Sequence, residues 1–365
     1  MILRRTFMAF MLAAAYRHRS KRRLQLDAPP MDEALEMLAP FGPTFSGGLS
    51  NHGPMVAEAL VAMGREDAVV AWIDRYRTRL EASPPARERI DAANWRQALG
   101  DGSRTGSWTA FFTNELAEAP WRVVVGRWVP RLAPGIAAAG THAAIRTGHA
   151  ACSLEVRETP ERLDELARGL GYWAADYMEL RGKPSGAGDL SPTEALAQVE
   201  VLPTAQRTGG GLITSEMKAL NSFEPFEAAI DLVDPSLGSP DFLAELLATF
   251  AGVYLNTESS SFVFLHAVTG AASIRELLPF VPEKDRADVL AYTWQVNAGI
   301  FARYAQPGLT ADLVGPPTTS SPEEIAERAV ASGDAHTIKL AAACTREFRR
   351  NPDPRLMTAA DSRAS

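Results

Sequence analysis

The histidines are the residues of this sequence with the widest range of chemistry. There are six of them, and all but His18 stand among apolar or small residues, where an imidazole needs a hydrogen-bond partner or a metal ion. His52 directly precedes a predicted helix, so its side chain can point into a cavity at the end of that helix. Taken singly, each histidine is more often a hydrogen-bonded core or cap residue than a metal ligand. The other four are His142, His149, His266 and His336.

Two of these histidines, His142 and His149, stand seven residues apart in one predicted helix. At about 100° per residue, seven residues bring the two side chains to within roughly 20° of one face, with Arg146 between them. A metal ion could bind on that face, and Arg146 could bind an oxygen atom of a substrate beside it. Arg146 is therefore a candidate catalytic residue, with a surface salt bridge as its alternative.

A buried amine is predicted beside His336. Lys339 lies three residues further along a predicted helix that is otherwise small and apolar, so the two side chains face the same side. A lysine buried there loses its charge, pairs with an acid or is chemically modified, and snorkelling to the surface is the alternative. His266 follows four apolar residues and is also predicted to be buried. Histidines from several helical segments are how helix bundles build metal sites.

Nearly every segment that must position these side chains has the periodicity of a helix. Cap residues followed by proline open helices at Thr159, Ser191 and Ser321. The alternation typical of strands is hard to find. We therefore predict an all-α fold, a single large helical domain over residues 31–350 with a metal site between helices. A polar tail over residues 351–365 is expected to follow.

Length and composition exclude several classes of protein. With 365 residues, of which 46% are hydrophobic and 22% charged, the chain can bury a large core and is typical of a globular protein. Its two cysteines exclude a disulfide scaffold and a cysteine zinc cluster, and they predict a reducing, cytoplasmic setting. The sequence has no GxGxxG after a strand, no Walker loop, no HExxH and no GxSxG. A built-in nucleotide-binding fold is therefore not predicted.

Basic residues are concentrated near the N-terminus. The first 25 residues hold seven Lys or Arg and no acid, which leaves 30 basic and 44 acidic residues, a net charge of −14, in the rest of the chain. Such an acidic body repels phosphate, so no nucleic-acid partner is expected. We predict that residues 1–30 form a basic, disordered arm, with a surface-associating helix and a signal peptide as alternatives. The apolar run over residues 7–16 is too short to span a bilayer, so no stable membrane insertion is expected.

Four segments with chemistry-bearing residues follow one another along the chain. They are residues 45–55 (FSGGLSNHGPM), 141–150 (THAAIRTGHA), 265–270 (LHAVTG) and 336–340 (HTIKL). In these segments the sequence resembles the questin oxidase-like family, and the resemblance extends over about residues 31–350. That family is helical, and its characterised fungal members oxidatively open an anthraquinone ring in polyketide biosynthesis. The pair Gly148-His149 resembles the bacterial members, whose substrates are largely unknown.

The resemblance implies a ligand set and a chemistry. Neutral imidazoles suit a ferrous ion with an open position for O2. Lys339 could join them only as the carbamate that its amine forms with CO2, because a free ammonium group cannot coordinate a metal. The implied function is an iron-dependent oxygenase that oxidises or cleaves the ring of an anthraquinone-like aromatic polyketide. The implied metal ligands are His52, His142, His266 and His336 with Lys339, and His149 is an alternative to His142.

A flat aromatic substrate needs an apolar slot with aromatic walls. A small aromatic substrate and O2 are thus the expected partners, and the oligomeric state stays open. One alternative is a Baeyer–Villiger-type monooxygenase that uses NADPH, with the histidines as acid and base and without a metal. The other is a non-catalytic helical protein that binds a small aromatic molecule. The candidate wall residues, each of which could equally be core, are Trp72, Tyr254, Phe262, Phe264 and Trp294.

Overall fold

The helices begin where the sequence supplies their caps. A computed structural model describes residues 29–207, 209–237, 239–257, 261–306, 308–312 and 315–364. Ser191 and Ser321 each form a capping box, in which the serine and the glutamate three residues later satisfy each other's backbone N–H. The Thr159 hydroxyl accepts a hydrogen bond from the backbone N–H of the third residue after it. All three predicted helix starts are therefore confirmed.

Sixteen α-helices lie within the described residues, and the predicted all-α fold is confirmed. The first eight are α1 (Pro30–Leu38), α2 (Gly53–Ala62), α3 (Glu66–Tyr76), α4 (Trp95–Ala98), α5 (Thr105–Glu118), α6 (Trp121–Leu132), α7 (His142–Val156) and α8 (Pro160–Ala175). The next eight are α9 (Pro192–Leu196), α10 (Ile213–Met217), α11 (Ser239–Leu255), α12 (Ser261–Leu277), α13 (Glu283–Tyr304), α14 (Pro322–Ser332), α15 (Ala335–Arg350) and α16 (Pro354–Ala364). Short 3-10 helices are Arg77–Arg79, Gly102–Arg104, Ala133–Gly135, Ala138–Thr141, Thr204–Gln206, Lys218–Ser222, Glu224–Asp231, Pro235–Leu237 and Leu278–Phe280.

A small antiparallel hairpin precedes α2. Its strands are β1 (Thr44–Phe45) and β2 (Leu49–Ser50), and they make up the one sheet found in the described residues. The turn between them includes Gly47 and Gly48, whose φ angles of 78° and 113° glycine adopts at little steric cost. Asn51, directly after β2, donates its backbone N–H to the carbonyl oxygen of Pro43 at 2.8 Å. The hairpin therefore fixes how the chain enters α2.

Helix α7 is at the centre of the packing that holds the site. Most of its residues are buried, and it packs against α2, α8 and α12, while α15 packs across α2 and α12. Two glycines permit close approach of α7 and α12. A Cβ atom on Gly148 would lie 2.7 Å from the Cβ of Ser273, and one on Gly270 would lie 3.2 Å from the Cβ of Thr141. The group α2, α7, α12 and α15 therefore depends on small residues at its contacts.

The C-terminal residues differ from the polar tail that the sequence predicts. Residues 354–364 form α16, which packs against α11, α14 and α15. Its buried positions come in two adjacent pairs separated by about one turn, so they form a single apolar stripe among polar residues. This stripe is short enough to be missed in a segment that is polar on average. The buried residues are Leu356, Met357, Ala359 and Ala360.

The predicted N-terminal arm lies, up to residue 28, outside the described residues. Helix α1 begins at Pro30, close to the predicted start of the folded part. No helix within the described ranges is both long and apolar enough to cross a membrane.

Candidate metal centre

Four histidine side chains meet between α2, α7, α12 and α15. His52 stands directly before α2, His142 is the first residue of α7, and His266 and His336 belong to α12 and α15. The Nε2 atom of His142 lies 3.1 Å from that of His52 and 3.2 Å from that of His266. The rings of His52 and His336 meet edge to face with their centroids 4.5 Å apart. One ligand nitrogen each from His52, His142 and His336 lies within 4.8 Å of the others.

Backbone carbonyls decide which nitrogen carries the proton in two of these rings. Nδ1 of His142 lies 2.7 Å from the carbonyl oxygen of Ala139, and Nδ1 of His266 lies 2.9 Å from that of Phe262. A carbonyl oxygen only accepts, so each Nδ1–H donates and each Nε2 keeps its lone pair. Burial and neighbouring charges hold the pKa of both histidines well below the ordinary value, so both rings are neutral. Two lone pairs therefore face each other across 3.2 Å, which a shared cation would stabilise.

A left-handed turn places His142 and its carbonyl partner. Ala139, Gly140 and Thr141 have φ angles of 51°, 61° and 73°. Residues with side chains reach that region at a cost of about 1 to 2 kcal/mol each. The turn directs the Ala139 carbonyl to the ring of His142, and the Thr141 hydroxyl donates to the backbone oxygen of His266 at 3.3 Å. The strained backbone therefore stands at the site and connects α7 to α12.

Asp334 faces the ring of His336. Its Oδ2 atom lies 4.0 Å from Nδ1 of His336, while its Oδ1 atom caps α15 by accepting from the backbone N–H of Thr337 at 2.8 Å. A carboxylate on that side favours the Nδ1–H tautomer. The Nε2 atom of His336 is buried and has no hydrogen-bond partner in the described part of the chain. Burial lowers the pKa of His336 to about 4, although Asp334 opposes the shift.

Lys339 is fully buried on the same helix, one turn after His336. Its Nζ atom has no hydrogen-bond partner within the described ranges. Burial lowers the pKa of Lys339 to about 7, against an opposing contribution from Asp334. A positive charge on Lys339 also lowers the pKa of the four clustered histidines. The amine therefore lies close enough to the cluster to act on every imidazole in it.

The donor atoms fit a single transition-metal ion. Two imidazole nitrogens bound at about 2.1 Å to one ion, at octahedral to tetrahedral angles, lie roughly 3.0–3.4 Å apart. The observed separations of 3.1 and 3.2 Å fall in that range. Ligating histidines usually donate their other N–H to a carbonyl or carboxylate, as the rings of His142 and His266 do here. Nitrogen donors favour iron, copper, nickel or zinc over calcium or magnesium. The buried group could therefore hold a metal, whose identity the residues leave open.

A cavity of about 840 Å³ adjoins the histidines, three of which line it. This volume is within the range of about 300–1,000 Å³ that is usual for small-molecule sites. Trp72 and Tyr76 stack with ring centroids 4.7 Å apart, and the indole N–H of Trp72 donates to the carbonyl of Gly333 at 3.0 Å. Two of the predicted wall residues, Trp72 and Phe262, do line the cavity. The aromatic residues of the lining are Phe45, Trp72, Tyr76, Tyr172 and Phe262.

The other three predicted wall residues lie elsewhere, among the core. Phe264 and Trp294 are fully buried, Tyr254 nearly so, and none of them lines the cavity. The indole N–H of Trp294 donates to the carbonyl oxygen of Ala229 at 2.7 Å. Phe262 and Phe264 are two residues apart on one helix, about 200° around its axis, so they cannot share a face. The aromatic composition indicated a wall but not which side of α12 forms it.

His149 is not part of the histidine cluster. Its Nδ1 lies 2.5 Å from a carboxylate oxygen of Glu58, whose other oxygen accepts from Arg346 at 2.7 Å. A separate small cavity adjoins it. Seven residues of α-helix put His149 on the face of His142 but about 10 Å further along the axis. The two histidines therefore share one face of α7, as predicted, but the distance along the helix axis places them in separate sites.

Arg146 also differs from its predicted catalytic role. Its Nε and Nη2 atoms bind both carboxylate oxygens of Glu165 at 2.6 and 2.7 Å, and the pair is buried. Arg146 does not line the cavity. A guanidinium group bound in this two-point geometry has its charge already compensated. The structure therefore gives Arg146 a role in joining α7 to α8.

Several residues at the cavity escaped the sequence argument. Tyr76 stands four residues after Trp72, the helical spacing of a contacting pair, and this was a usable signal. Asp334 stands two residues before His336, where a helix cap can also meet a histidine ring. Tyr172 and Asp176 carry no comparable signal, because they reach the cavity only through the packing of α8 against α7.

The comparisons with known proteins agree with the resemblance over part of the chain. No curated protein matches the sequence. The family model described as Questin oxidase-like matches residues 49–178, a segment that contains His52 and His142. That segment runs from β2 to just beyond α8 and includes the left-handed turn before His142. Over residues 49–178, this chain is similar to the questin oxidase-like family, and that similarity suggests an oxidoreductase.

Proposed function

We propose that this protein is an iron-dependent oxygenase that oxidises or cleaves the ring of an anthraquinone-like aromatic polyketide. One observation carries the proposal: the Nε2 lone pairs of buried, neutral histidines converge beside a cavity with aromatic walls. A metal reached directly from such a cavity suits oxidation of a flat apolar substrate. The family match over residues 49–178 supports the oxidoreductase class.

The side chains have distinct roles in this proposal. His52, His142, His266 and His336 hold the metal, and burial keeps them neutral and available. Asp334 and the carbonyls of residues 139 and 262 orient three of the rings. When bound, iron supplies the one-electron chemistry toward O2 that organic side chains lack. His149 and Arg146 are left out of the reacting groups.

Lys339 supplies the anionic ligand that the histidines lack. No Asp or Glu is grouped with the clustered histidines as a ligand among the described residues. The unpartnered, buried Nζ atom of Lys339 supports its conversion to a carbamate. In that step the amine nitrogen forms a bond to the carbon of CO2, one proton leaves, and a carboxylate group results. This change replaces an unsatisfied buried amine with an oxygen ligand.

The proposal is tested by metal content and oxygen uptake. Protein purified without oxygen is expected to hold close to one iron per chain and to consume O2 when 1,8-dihydroxyanthraquinone is added. Protein reloaded with zinc is the matched control, because zinc occupies the same nitrogens but has no redox chemistry. Equal oxygen uptake by the iron and zinc forms would contradict the proposal.

The same experiment separates the alternatives. Oxygen uptake that requires NADPH and persists after the metal is removed would favour the Baeyer–Villiger-type monooxygenase. Binding of the quinone without any oxygen uptake would favour a non-catalytic protein that binds a small aromatic molecule. We give the iron-dependent reaction priority because acid–base histidines do not require two facing lone pairs.

A further inference from the structure

Several polar groups around the cavity already have partners within the protein. The hydroxyls of Ser50 and Tyr172 bind each other at 2.9 Å. The indole N–H of Trp72 is bound to a carbonyl, and Asp334 caps α15. A polar group that a fold leaves unpaired in a cavity is costly unless water or a ligand satisfies it. The unpaired groups therefore indicate which ligand atoms the cavity is built to meet.

Tyr76 offers a free hydroxyl hydrogen next to the histidines. Its Oη atom accepts the backbone N–H of His52 at 2.8 Å, and no described residue accepts the hydroxyl hydrogen in return. The ring is buried and held by stacking on Trp72 and by an edge contact with Phe45, whose ring centroid is 6.3 Å away. A side chain fixed on both sides presents its hydroxyl in one direction. Tyr76 is therefore a rigid hydrogen-bond donor beside His52.

Asp176 offers the complementary acceptor. It follows the last residue of α8, one turn after Tyr172, and lines the same cavity while half-buried. None of the described residues hydrogen-bonds its carboxylate. Burial raises the pKa of Asp176, and only the charge of Lys218 opposes that shift. A carboxylate at this place gains from any ligand hydroxyl that donates to it.

We infer that Tyr76 and Asp176 bind the oxygen substituents of the aromatic substrate and so determine which ring systems the cavity accepts. Tyr76 donates to a ring carbonyl or phenolate oxygen near His52, and Asp176 accepts from a ring hydroxyl. The inference rests on the proposed function for the aromatic nature of the substrate. It adds which two side chains distinguish a ring system that has carbonyl and hydroxyl groups from one of the same shape that lacks them.

Three flat probes of similar shape test this assignment. They are 1,8-dihydroxyanthraquinone, which has carbonyls and hydroxyls, 9,10-anthraquinone, which has carbonyls only, and anthracene, which has neither. Binding to the purified holoprotein is measured under nitrogen by quenching of tryptophan fluorescence, so that no turnover interferes. The variants are Tyr76→Phe and Asp176→Asn, with Tyr292→Phe as a matched control outside the cavity lining.

Each variant is expected to have its own pattern. Tyr76→Phe weakens both quinones by roughly 10-fold and leaves anthracene unchanged, as expected for one hydrogen bond to a carbonyl. Asp176→Asn weakens only the dihydroxy compound, by about 10-fold or more. Tyr292→Phe changes none of the three affinities. Iron content is measured for each variant to show that the histidine cluster is intact.

Other results would overturn the assignment. Equal loss for all three probes in Tyr76→Phe would mean that the hydroxyl supports the shape of the cavity only. Unchanged affinity for the dihydroxy compound in Asp176→Asn would remove the acceptor role, and failure of the wild-type protein to bind that compound would overturn the substrate class. The expected binding pattern without any oxygen uptake would contradict the proposed function while leaving this inference standing.

Discussion

Helix α7 carries two buried histidines whose surroundings differ in charge and in hydrogen-bond partners. His142 has a carbonyl on Nδ1 and another imidazole on Nε2, whereas His149 has the carboxylate of Glu58 on Nδ1. Glu58 is in turn bound by Arg346. At the His149 end, every charge has an opposite charge beside it. At the His142 end, the rings are neutral, their Nε2 lone pairs face one another, and the nearby amine of Lys339 has no partner among the described residues.

The comparison shows that burial and residue type do not separate a structural histidine from a candidate metal ligand. Both residues are equally buried and both have a partner on Nδ1. What differs is the kind of partner on Nδ1, a backbone carbonyl for His142 and a carboxylate for His149, and the other imidazoles that lie beside Nε2 of His142. A site that is stable without a ligand satisfies its own polar atoms, and one built for a metal leaves lone pairs unmatched.

The largest expected effect is on metal binding by the two histidine variants of α7. His142→Ala removes the imidazole that contacts both His52 and His266, so iron affinity is expected to fall by more than about 100-fold, beyond the usual loss for an outer partner. His149→Ala is expected to keep close to one iron per chain and to lose stability instead. Iron analysis after desalting, with thermal melting of the same samples, measures both effects. Equal iron loss in the two variants would contradict the proposed difference between the His142 end and the His149 end of α7.

The second prediction concerns the ion pairs around His149. Glu58→Ala leaves Arg346 and His149 without their shared carboxylate, and the free energy of unfolding is expected to fall by about 3–5 kcal/mol, as for other broken buried pairs. Urea denaturation of the metal-free protein measures this change. Iron affinity is expected to stay within about 3-fold, roughly 0.6 kcal/mol, of the wild type. A large loss of iron would show that the two ends of α7 are coupled.

The third prediction isolates the carboxylate behind His336. Asp334→Asn keeps an oxygen that can cap α15, because asparagine is as good a cap as aspartate, but removes the charge facing Nδ1. Iron affinity is expected to fall by about 10-fold, the lower end of the range for outer partners. Asp334→Ala is the comparison variant, and it should lose stability as well. An unchanged affinity in Asp334→Asn would mean that Asp334 acts only as a cap.

The fourth prediction is a pH dependence of the metal-free protein. The four clustered histidines have folded pKa values below the ordinary 6.5, so the unfolded chain binds more protons once the pH falls below that value. Stability is therefore greatest above pH 6.5 and is lost as the pH falls toward the folded pKa values. Each histidine contributes about 1.4 kcal/mol per pH unit within its window. Urea midpoints between pH 7.5 and 5 measure the loss, and a flat profile would contradict neutral, buried rings.

The fifth prediction concerns the buried amine. Lys339→Met keeps the length of the side chain and removes the unpartnered Nζ, so the metal-free protein is expected to gain roughly 1–3 kcal/mol in unfolding free energy at pH 7. The gain should shrink toward pH 10, because the unfolded lysine holds its proton up to about 10.5 while the folded pKa is about 7, so the wild type becomes more stable as the pH rises through that range. If the carbamate is a ligand, the same variant binds iron more weakly. Added small carboxylates should restore part of the iron binding lost in Lys339→Ala.

Much of this architecture could be predicted from short-range patterns. Serine or threonine followed by proline identified three helix starts, and the apolar surroundings of His266 identified its burial. The spacing of His336 and Lys339 placed them on one face of α15. The resemblance grouped the four histidines from sequence alone. The division into arm, single domain and tail stays a prediction, apart from the packed helix found near the C-terminus.

The other features of the site depend on distances between residues, and the periodicity of a sequence gives no information on those distances. An angle around α7 could not show that His149 lies two turns away from His142. The partners of Arg146 and Asp176 depend on how α8 packs against neighbouring helices, and no local pattern encodes that packing. The hairpin at residues 44–50 was missed because two residues per strand give no alternation. These differences concern displacement along helices and contacts between them, and they decide which residues reach the cavity.

Gly148 has a consequence for the spacing of the clustered histidines although it contacts none of them. A methyl group there would meet Ser273 at 2.7 Å, so an alanine could be accommodated only if α7 and α12 moved apart by more than about half an ångström. Metal–ligand distances tolerate about 0.2 Å. The absence of a side chain at Gly148 therefore sets how closely α7 and α12 approach. Through that approach it sets the distance between His142 and His266, about two turns away. Substitution of Gly148 by alanine and then by serine is expected to increase the distance between the donor nitrogens in two steps. The size of the ion that fits between them would then change, although every donor atom stays the same.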